Sequence, residues 1–138
     1  MKPAIHAPRG LPGSGKTELS RLIAAATGAV HVELDAHRRR IWPNCPPSWD
    51  PYSGPGLIVQ TSYEQEIAAL LAAGRDVVAD RTNLHPEGLR RIERLGGRLV
   101  IHDLRRVPLA DCLARDATRP HPQRVGPDGI RALNHRWL

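Results

Sequence analysis

Apolar residues fall along this chain in two rhythms: short consecutive runs, and longer stretches with an apolar residue every three or four positions. The first rhythm predicts strands. Val77-Val78-Ala79 is a short buried strand ending in Asp80, and Arg98 to Asp103 is another, apolar at Leu99, Val100 and Ile101. Ala29 to Leu34 alternates toward a further strand that ends at Asp35. Ala4-Ile5-His6-Ala7 is a poor strand by propensity, expected only because the glycine-rich segment after it needs one to launch it. The second rhythm predicts helices. One starts after Lys16 with Leu19, Leu22, Ile23 and Ala26 on one face and stops at Thr27-Gly28. Ser62 followed by Gln65 reads as a capping box, opening a helix with the stripe Tyr63, Ile67, Leu70 and Leu71, closed by Gly74. Pro86 starts a helix with Leu89, Ile92 and Leu95 inward, stopped by Gly96-Gly97. Pro108 starts one with Leu109, Cys112 and Leu113 inward, ending before Pro120, and Pro127 one with Ile130, Leu133 and Trp137.

Between the second strand and the Ser62 helix lies a short basic segment, Ala36 to Trp42, and then residues 43–56. That stretch carries Pro43, Pro46, Pro47, Pro51 and Pro55 with Trp49, Tyr52 and two glycines, so no regular element is expected in it. Long irregular loops of this kind are usually functional or mobile. Trp42, Trp49 and Tyr52 either stack on a nucleobase or pin the loop to the body. Strands alternating with helices imply an α/β three-layer sandwich, with a short parallel sheet of about four strands covered by helices on both faces. Residues 1–138 are read as one domain without internal repeats. Ligands of such sheets bind at the carboxyl ends of the strands, a rim shared here by the segment after Ala7, by Asp35, by Asp80 and by the residues after Asp103.

The most informative segment is Gly10-Leu11-Pro12-Gly13-Ser14-Gly15-Lys16-Thr17, which reads G-x-x-x-x-G-K-T, a phosphate-binding loop. Its glycines let the backbone curl so that N–H groups from Gly13 to Thr17 face one anion, at the positive end of the helix that follows. Lys16 is placed to reach the β- and γ-phosphates, and the Thr17 hydroxyl to sit on Mg²⁺. Only Lys2 and Lys16 are lysines, while eighteen of the twenty basic residues are arginines. A composition that avoids lysine has put one where a slim point charge is wanted. The chain is therefore read as binding a nucleoside triphosphate, ATP or another, with Mg²⁺.

Around that loop, Asp80 is a candidate for holding Mg²⁺ or for capping the turn into Thr82-Asn83. Asp35 with Arg38 one turn on is a base for an acceptor hydroxyl beside a grip for a neighbouring phosphate, or else a helix cap before a solvated arginine run. Arg115 and Arg119 share one helix face, with Arg124 beyond. They read either as arginines that fold over a triphosphate or as complements to the helix dipole. The prolines of the following loop favour a lid over about 115–126.

Charge and composition narrow the partners. The net charge is +6, with a pI near 10.3. That favours acidic or nucleic-acid partners without deciding between them. Cys45 and Cys112 form no C-x-x-C pair, which suits a reducing compartment. Pro3, His6 and Pro8 interrupt any leader-like apolar run, and no run is long enough to span a bilayer. The expectation is a cytoplasmic, intracellular protein with no membrane partner, its oligomeric state left open. The seven histidines show no ligand spacing, so no metal besides Mg²⁺ is expected.

Taken with their order and spacing, these motifs resemble the phage-type polynucleotide 5′-kinases of the P-loop phosphotransferase superfamily. The resemblance is carried by Gly10 to Thr17, by Asp35-x-x-Arg38, by Val77 to Leu84 with its D-x-T-N segment, by Cys112 to Arg119, and by Val125-Gly126-x-x-x-Ile130. It implies transfer of the γ-phosphate of ATP to a nucleic-acid hydroxyl, first of all the 5′-OH end of DNA or RNA, by a phage-type enzyme acting inside a host bacterium. It further implies Gly10, Gly13, Ser14, Gly15, Lys16 and Thr17 as the nucleotide cradle, with Thr17 on Mg²⁺. Asp35 matches the general base, Arg115 and Arg119 the lid arginines on the donor. Arg38, Asp80 and Asn83 stand on the acceptor side. The first strand is less apolar than is usual in that family, and the proline-tryptophan loop replaces the segment that shapes its acceptor site. Two other readings stay open: the same chemistry on a hydroxymethylated base of phage DNA or on a small metabolite, and a nucleotide-binding switch without catalysis.

Overall fold

Four parallel strands, β1 (Ala4–Arg9), β2 (Val30–Glu33), β3 (Val77–Asp80) and β4 (Arg98–Asp103), form one sheet in the order β2-β3-β1-β4. The computed structural model describes residues 1–46, 49–120 and 124–138. The weak first strand sits at the centre of the sheet and reaches Arg9, past its expected end at Ala7. Its propensity is overridden by burial: Ile5 and Ala7 have no exposed surface, and Ile5 pairs with Val77 on one side and Leu99 on the other. Proline belongs poorly in a central strand. Here β1 and β3 pair only as far as His6 and Val78, and beyond them the Asn83 side-chain amide donates to the Pro8 carbonyl (2.7 Å).

Six helices accompany the sheet: α1 (Lys16–Thr27), α2 (Leu34–Ile41), α3 (Gly54–Ala72), α4 (Pro86–Glu93), α5 (Leu109–Ala117) and α6 (Pro127–Trp137). On one face, Val59, Tyr63, Ile67 and Leu71 of α3 and Ile92 of α4 pack against Ile5, Val32, Val77 and Ala79. Each such side chain contributes about 1.5 to 3 kcal/mol by leaving water. On the other face, Ile23 of α1 and Ala29 close over Val78. α5 and α6 meet around Cys112 and Ile130, against Leu11 and Leu84 at the carboxyl rim. The result is the three-layer α/β arrangement expected from the sequence, a P-loop kinase fold. Among the described residues no helix is long and apolar enough to cross a membrane.

Several boundaries and faces differ from expectation. In α1 the buried face is Lys16, Ser20 and Ile23; Leu22 is 67% exposed, and Ala26 is exposed as well. The phosphate loop fixes the rotation of this helix, because turning Lys16 inward carries the positions four and seven further along inward with it. The second strand stops at Glu33, and Leu34 opens α2, so Asp35 lies in a first helical turn rather than at a strand end. α3 begins at Gly54, well before Ser62, with Ser53 as its cap and a proline in its first turn. Gly56 survives in it because the Asp50 backbone lies where a side chain would go. Ser62 is not a cap but a mid-helix contact, 2.8 Å from His37 Nδ1 and accepting from Arg40 Nη2 at 3.0 Å. Trp42 and Trp49 meet edge to face (6.3 Å) and pack on the core, so these two pin the proline-rich loop. β4 is an edge strand among those described, which leaves Ile101 46% exposed.

Candidate active site

The turn from β1 into α1 is built by Gly10 to Thr17. The Gly10 N–H donates to the Thr82 carbonyl (3.0 Å), tying the turn to the segment after β3. Gly13 and Gly15 adopt φ of 85° and 97°, backbone that side-chain-bearing residues rarely accept. A side chain at Gly13 would also strike the Cys112 carbonyl on α5. The Ser14 hydroxyl is buried without a hydrogen-bond partner among the described residues. Lys16 is 8% exposed, and its Nζ donates to the Leu11 carbonyl oxygen (2.8 Å). Burial lowers the Lys16 pKa to about 8, against the raising effect of Asp80 and Asp35. An orphaned buried hydroxyl, a desolvated cation and the free N–H groups of a helix start are what a bound phosphate would satisfy. The residues present therefore fit a triphosphate.

Asp80, 8% exposed at the end of β3, accepts from the Thr17 hydroxyl (3.1 Å) with its Oδ2. The same oxygen lies 2.8 Å from His31 Nε2, and His31 Nε2 lies 3.6 Å from Glu33 Oε1. Thr17 and Asp80 thus come together as a hydroxyl–carboxylate pair of the kind that holds Mg²⁺ beside a phosphate loop. Sequence reasoning missed His31 and Glu33. Their alternation along one strand was visible, but their meeting with Asp80 depends on the β2–β3 register.

Asp35 and Arg38 face each other across the first turn of α2, with Arg38 Nε 3.5 Å from Asp35 Oδ1. The carboxylate is 71% exposed and the guanidinium side chain 16%. Lys16 follows β1 and Asp35 follows β2 in a parallel sheet, which puts the two on one rim. Arg38, Arg39, Pro43 and Cys45 line a cleft of about 380 Å³ beside this pair. Burial raises the pKa of the Cys45 thiol, opposed by Arg38 next to it.

Arg115 in the last turn of α5 and Arg119 two residues past its end lie on the other side, so the two do not share one helix face as the spacing suggested. Arg115 Nη1 lies 3.5 Å from where a Gly15 side chain would begin, and the charge of Arg119 lowers the Lys16 pKa further. Between them Asp116, 2% exposed, accepts the backbone N–H groups of Val125 and Gly126, both at 2.9 Å. Arg124 Nη2 donates back to the Arg119 carbonyl (2.9 Å). The segment expected as a lid is thereby tied at both ends, while residues 121–123 at its middle lie outside the described residues. Asp116 also escaped the sequence reading, because its neighbours Arg115 and Arg119 carry the recognisable spacing. Asn83 has its amide committed to the carbonyls of Pro8, Ala79 and Arg81 and holds a positive φ of 53°, so it shapes the turn after β3.

A family model described as an AAA domain matches residues 5–133. No curated protein matches the chain. Among solved structures it is similar to a chain of the Pnkp1/Rnl/Hen1 RNA repair complex (16% identity, TM-score 0.71, 99% of this chain and 47% of that one). It is also similar to a sugar kinase from Janibacter sp. (19% identity, TM-score 0.65, 100% of this chain and 78% of that one). A third similar structure is shikimate kinase from Acinetobacter baumannii in complex with shikimate (20% identity, TM-score 0.53, 100% and 81%). The chain spans less than half the length of the first two matched structures, 47% and 39%.

Proposed function

The chain belongs to the AAA-domain family matched over residues 5–133, and from that premise we propose that it transfers the γ-phosphate of ATP to a hydroxyl of a nucleic acid, in the first place the 5′-OH end of DNA or RNA. The observation that carries this reading is the Asp35–Arg38 pair, 3.5 Å apart on the same rim as Lys16. An exposed carboxylate next to a guanidinium suits an acceptor that offers a hydroxyl and a phosphate together, as a terminal nucleotide does. The net charge of +6 supports the same class of acceptor.

In this reading Asp35 takes the proton of the attacking hydroxyl, and Arg38 grips the phosphate beside it. Gly10 to Thr17 orient the triphosphate through backbone N–H groups, with the Ser14 hydroxyl gaining its missing partner. Arg115 from α5 and Arg119 from the turn just after it come over the donor, where their charge stabilises the transferring phosphoryl. Mg²⁺, when bound, neutralises phosphate charge, and Thr17 and Asp80 are the side chains that would hold it. Asp80 and Asn83 build the wall facing the acceptor through the turn after β3.

A second reading, a small-metabolite kinase, is favoured by one observation: the half-open cleft at Arg38 measures about 380 Å³, room for part of a small molecule. The sugar and shikimate kinases among the similar structures belong to that class. One experiment separates the two. The protein is incubated with γ-labelled ATP, Mg²⁺ and a panel of 5′-OH oligonucleotides, hydroxymethylated DNA, nucleosides and sugars. Label on the oligonucleotide ends supports the first reading, and label confined to a small molecule or a modified base overturns it. Hydrolysis or binding of ATP with no acceptor labelled would leave a nucleotide-binding switch.

A further inference from the structure

We propose that His31, Glu33 and Asp80 form a binding site for a divalent transition-metal ion of the Mn²⁺, Co²⁺ or Zn²⁺ class, adjoining the phosphate loop. The site is written into the sheet. His31 and Glu33 are two apart on β2 and so share a face, and the register sets Glu33 directly beside Asp80 on β3. Neighbouring β3 residue Val78 packs on α1, so this is the α1 face, and Thr17 of α1 reaches the same Asp80 oxygen. One ring nitrogen and two carboxylate oxygens then lie within 4.8 Å of one another.

The distances suit one ion. Donors about 2.1 Å from a tetrahedral metal are separated by about 3.4 Å. His31 Nε2 lies 2.8 Å from Asp80 Oδ2 and 3.6 Å from Glu33 Oε1, values that straddle that spacing. Two carboxylates placed side by side across strands repel each other, and a cation between them relieves it. Arg39 engages Glu33 through the other oxygen, Oε2 (3.7 Å), which leaves Oε1 turned toward His31. An imidazole in the set points away from Mg²⁺, which prefers oxygen and retained water, and toward the softer divalent ions. Water completes the coordination; Thr17 stays with the Mg²⁺ of the nucleotide, and Asp80 is the one side chain the two ions would share.

The site does not depend on the identity of the acceptor, and its test needs no nucleotide. The untagged, chelator-treated chain is titrated with Co²⁺ followed by d–d absorption, and with Zn²⁺ by calorimetry. Wild type is expected to bind one equivalent with low-coordinate Co²⁺ bands. His31→Gln, which keeps a hydrogen-bonding group against Asp80, and Glu33→Gln should each weaken binding at least about tenfold. Circular dichroism checks that the variants fold, and if one does not, the other carries the comparison. Equal binding by wild type and a folded variant, or no stoichiometric binding by wild type, would overturn the proposal and leave the three side chains an internal ion cluster. A parallel titration with ATP and Mg²⁺ tests the nucleotide reading separately, so the two can fail independently.

Discussion

Lys16 donates 2.8 Å to the Leu11 carbonyl oxygen, which folds the cation of the phosphate loop back onto the loop's own backbone. Burial holds its pKa at about 8, below its ordinary value of 10.5. A bound triphosphate stabilises the ammonium and raises that pKa, so binding takes up a proton wherever the empty loop has lost one. Nucleotide affinity is therefore expected to be level below pH 8 and to fall as pH rises beyond it. Calorimetry in buffers of different ionisation enthalpy should show proton uptake growing above pH 8. The empty protein behaves in the opposite sense: between pH 8 and 10.5 the unfolded chain holds more protons, so stability rises with pH across that window. Lys16→Ala should flatten both profiles and abolish phosphate transfer while the protein stays folded.

Arg119 is placed to act on rate rather than on acceptor binding, since its charge is felt at Lys16 and it is not among the residues lining the cleft by Arg38. Arg119→Ala should lower kcat by about 10³ or more, with a small change in acceptor KM. Arg119→Lys should recover only part of the loss, because a point charge does not reproduce a planar fork. A defect seen in acceptor KM alone would move Arg119 to the acceptor groove.

Asp116 is expected to matter through the chain segment it ties down. Asp116→Asn keeps one acceptor oxygen for two backbone N–H groups, so one of the Val125 and Gly126 donors loses its partner. These donors are only partly buried, so leaving one unpaired costs about 1 kcal/mol, readable as a lowered midpoint in urea. The kcat should fall with it, because Arg119 and Arg124 lie on the segment that Asp116 closes.

How much of this was legible in the sequence depended on how local each feature is. The phosphate loop is contiguous, and its geometry follows from glycines at fixed spacing, so Gly10 to Thr17 could be read without a structure. The strands β3 and β4 carry their own apolar runs and were read at nearly their true ends. The start of α3 was not legible, because Gly54-Pro55-Gly56 reads as a breaker until the Asp50 backbone is known to lie against Gly56. Ser62 misled for the opposite reason: its partners, His37 and Arg40, sit on another helix. Leu22 was assigned inward from spacing alone, whereas the rotation of α1 is set by Lys16. The meeting of His31, Glu33 and Asp80 is a fact of register, which a single sequence does not display.

The last prediction concerns the acceptor and rests on Asp35 and Arg38 standing one turn apart. In-line transfer needs a base behind the hydroxyl, opposite the leaving diphosphate, and the exposed Asp35 carboxylate on the Lys16 rim can occupy that place. Asp35→Asn keeps size and hydrogen bonding but cannot take the proton, so kcat should fall by roughly 10² to 10⁴ with ATP affinity nearly unchanged. Arg38→Ala should act on binding instead, removing a charged contact to phosphate worth about 1.5 to 3 kcal/mol. Its effect should be large for an acceptor whose terminal nucleotide carries a 3′-phosphate or phosphodiester, and small for a nucleoside with none. Measuring kcat/KM for both acceptors in wild type and in Arg38→Ala gives the contrast directly. If the substitution harmed both acceptors equally, the Asp35–Arg38 pair would be reading something other than a nucleotide phosphate. The 380 Å³ cleft beside it would then be the better guide to the substrate.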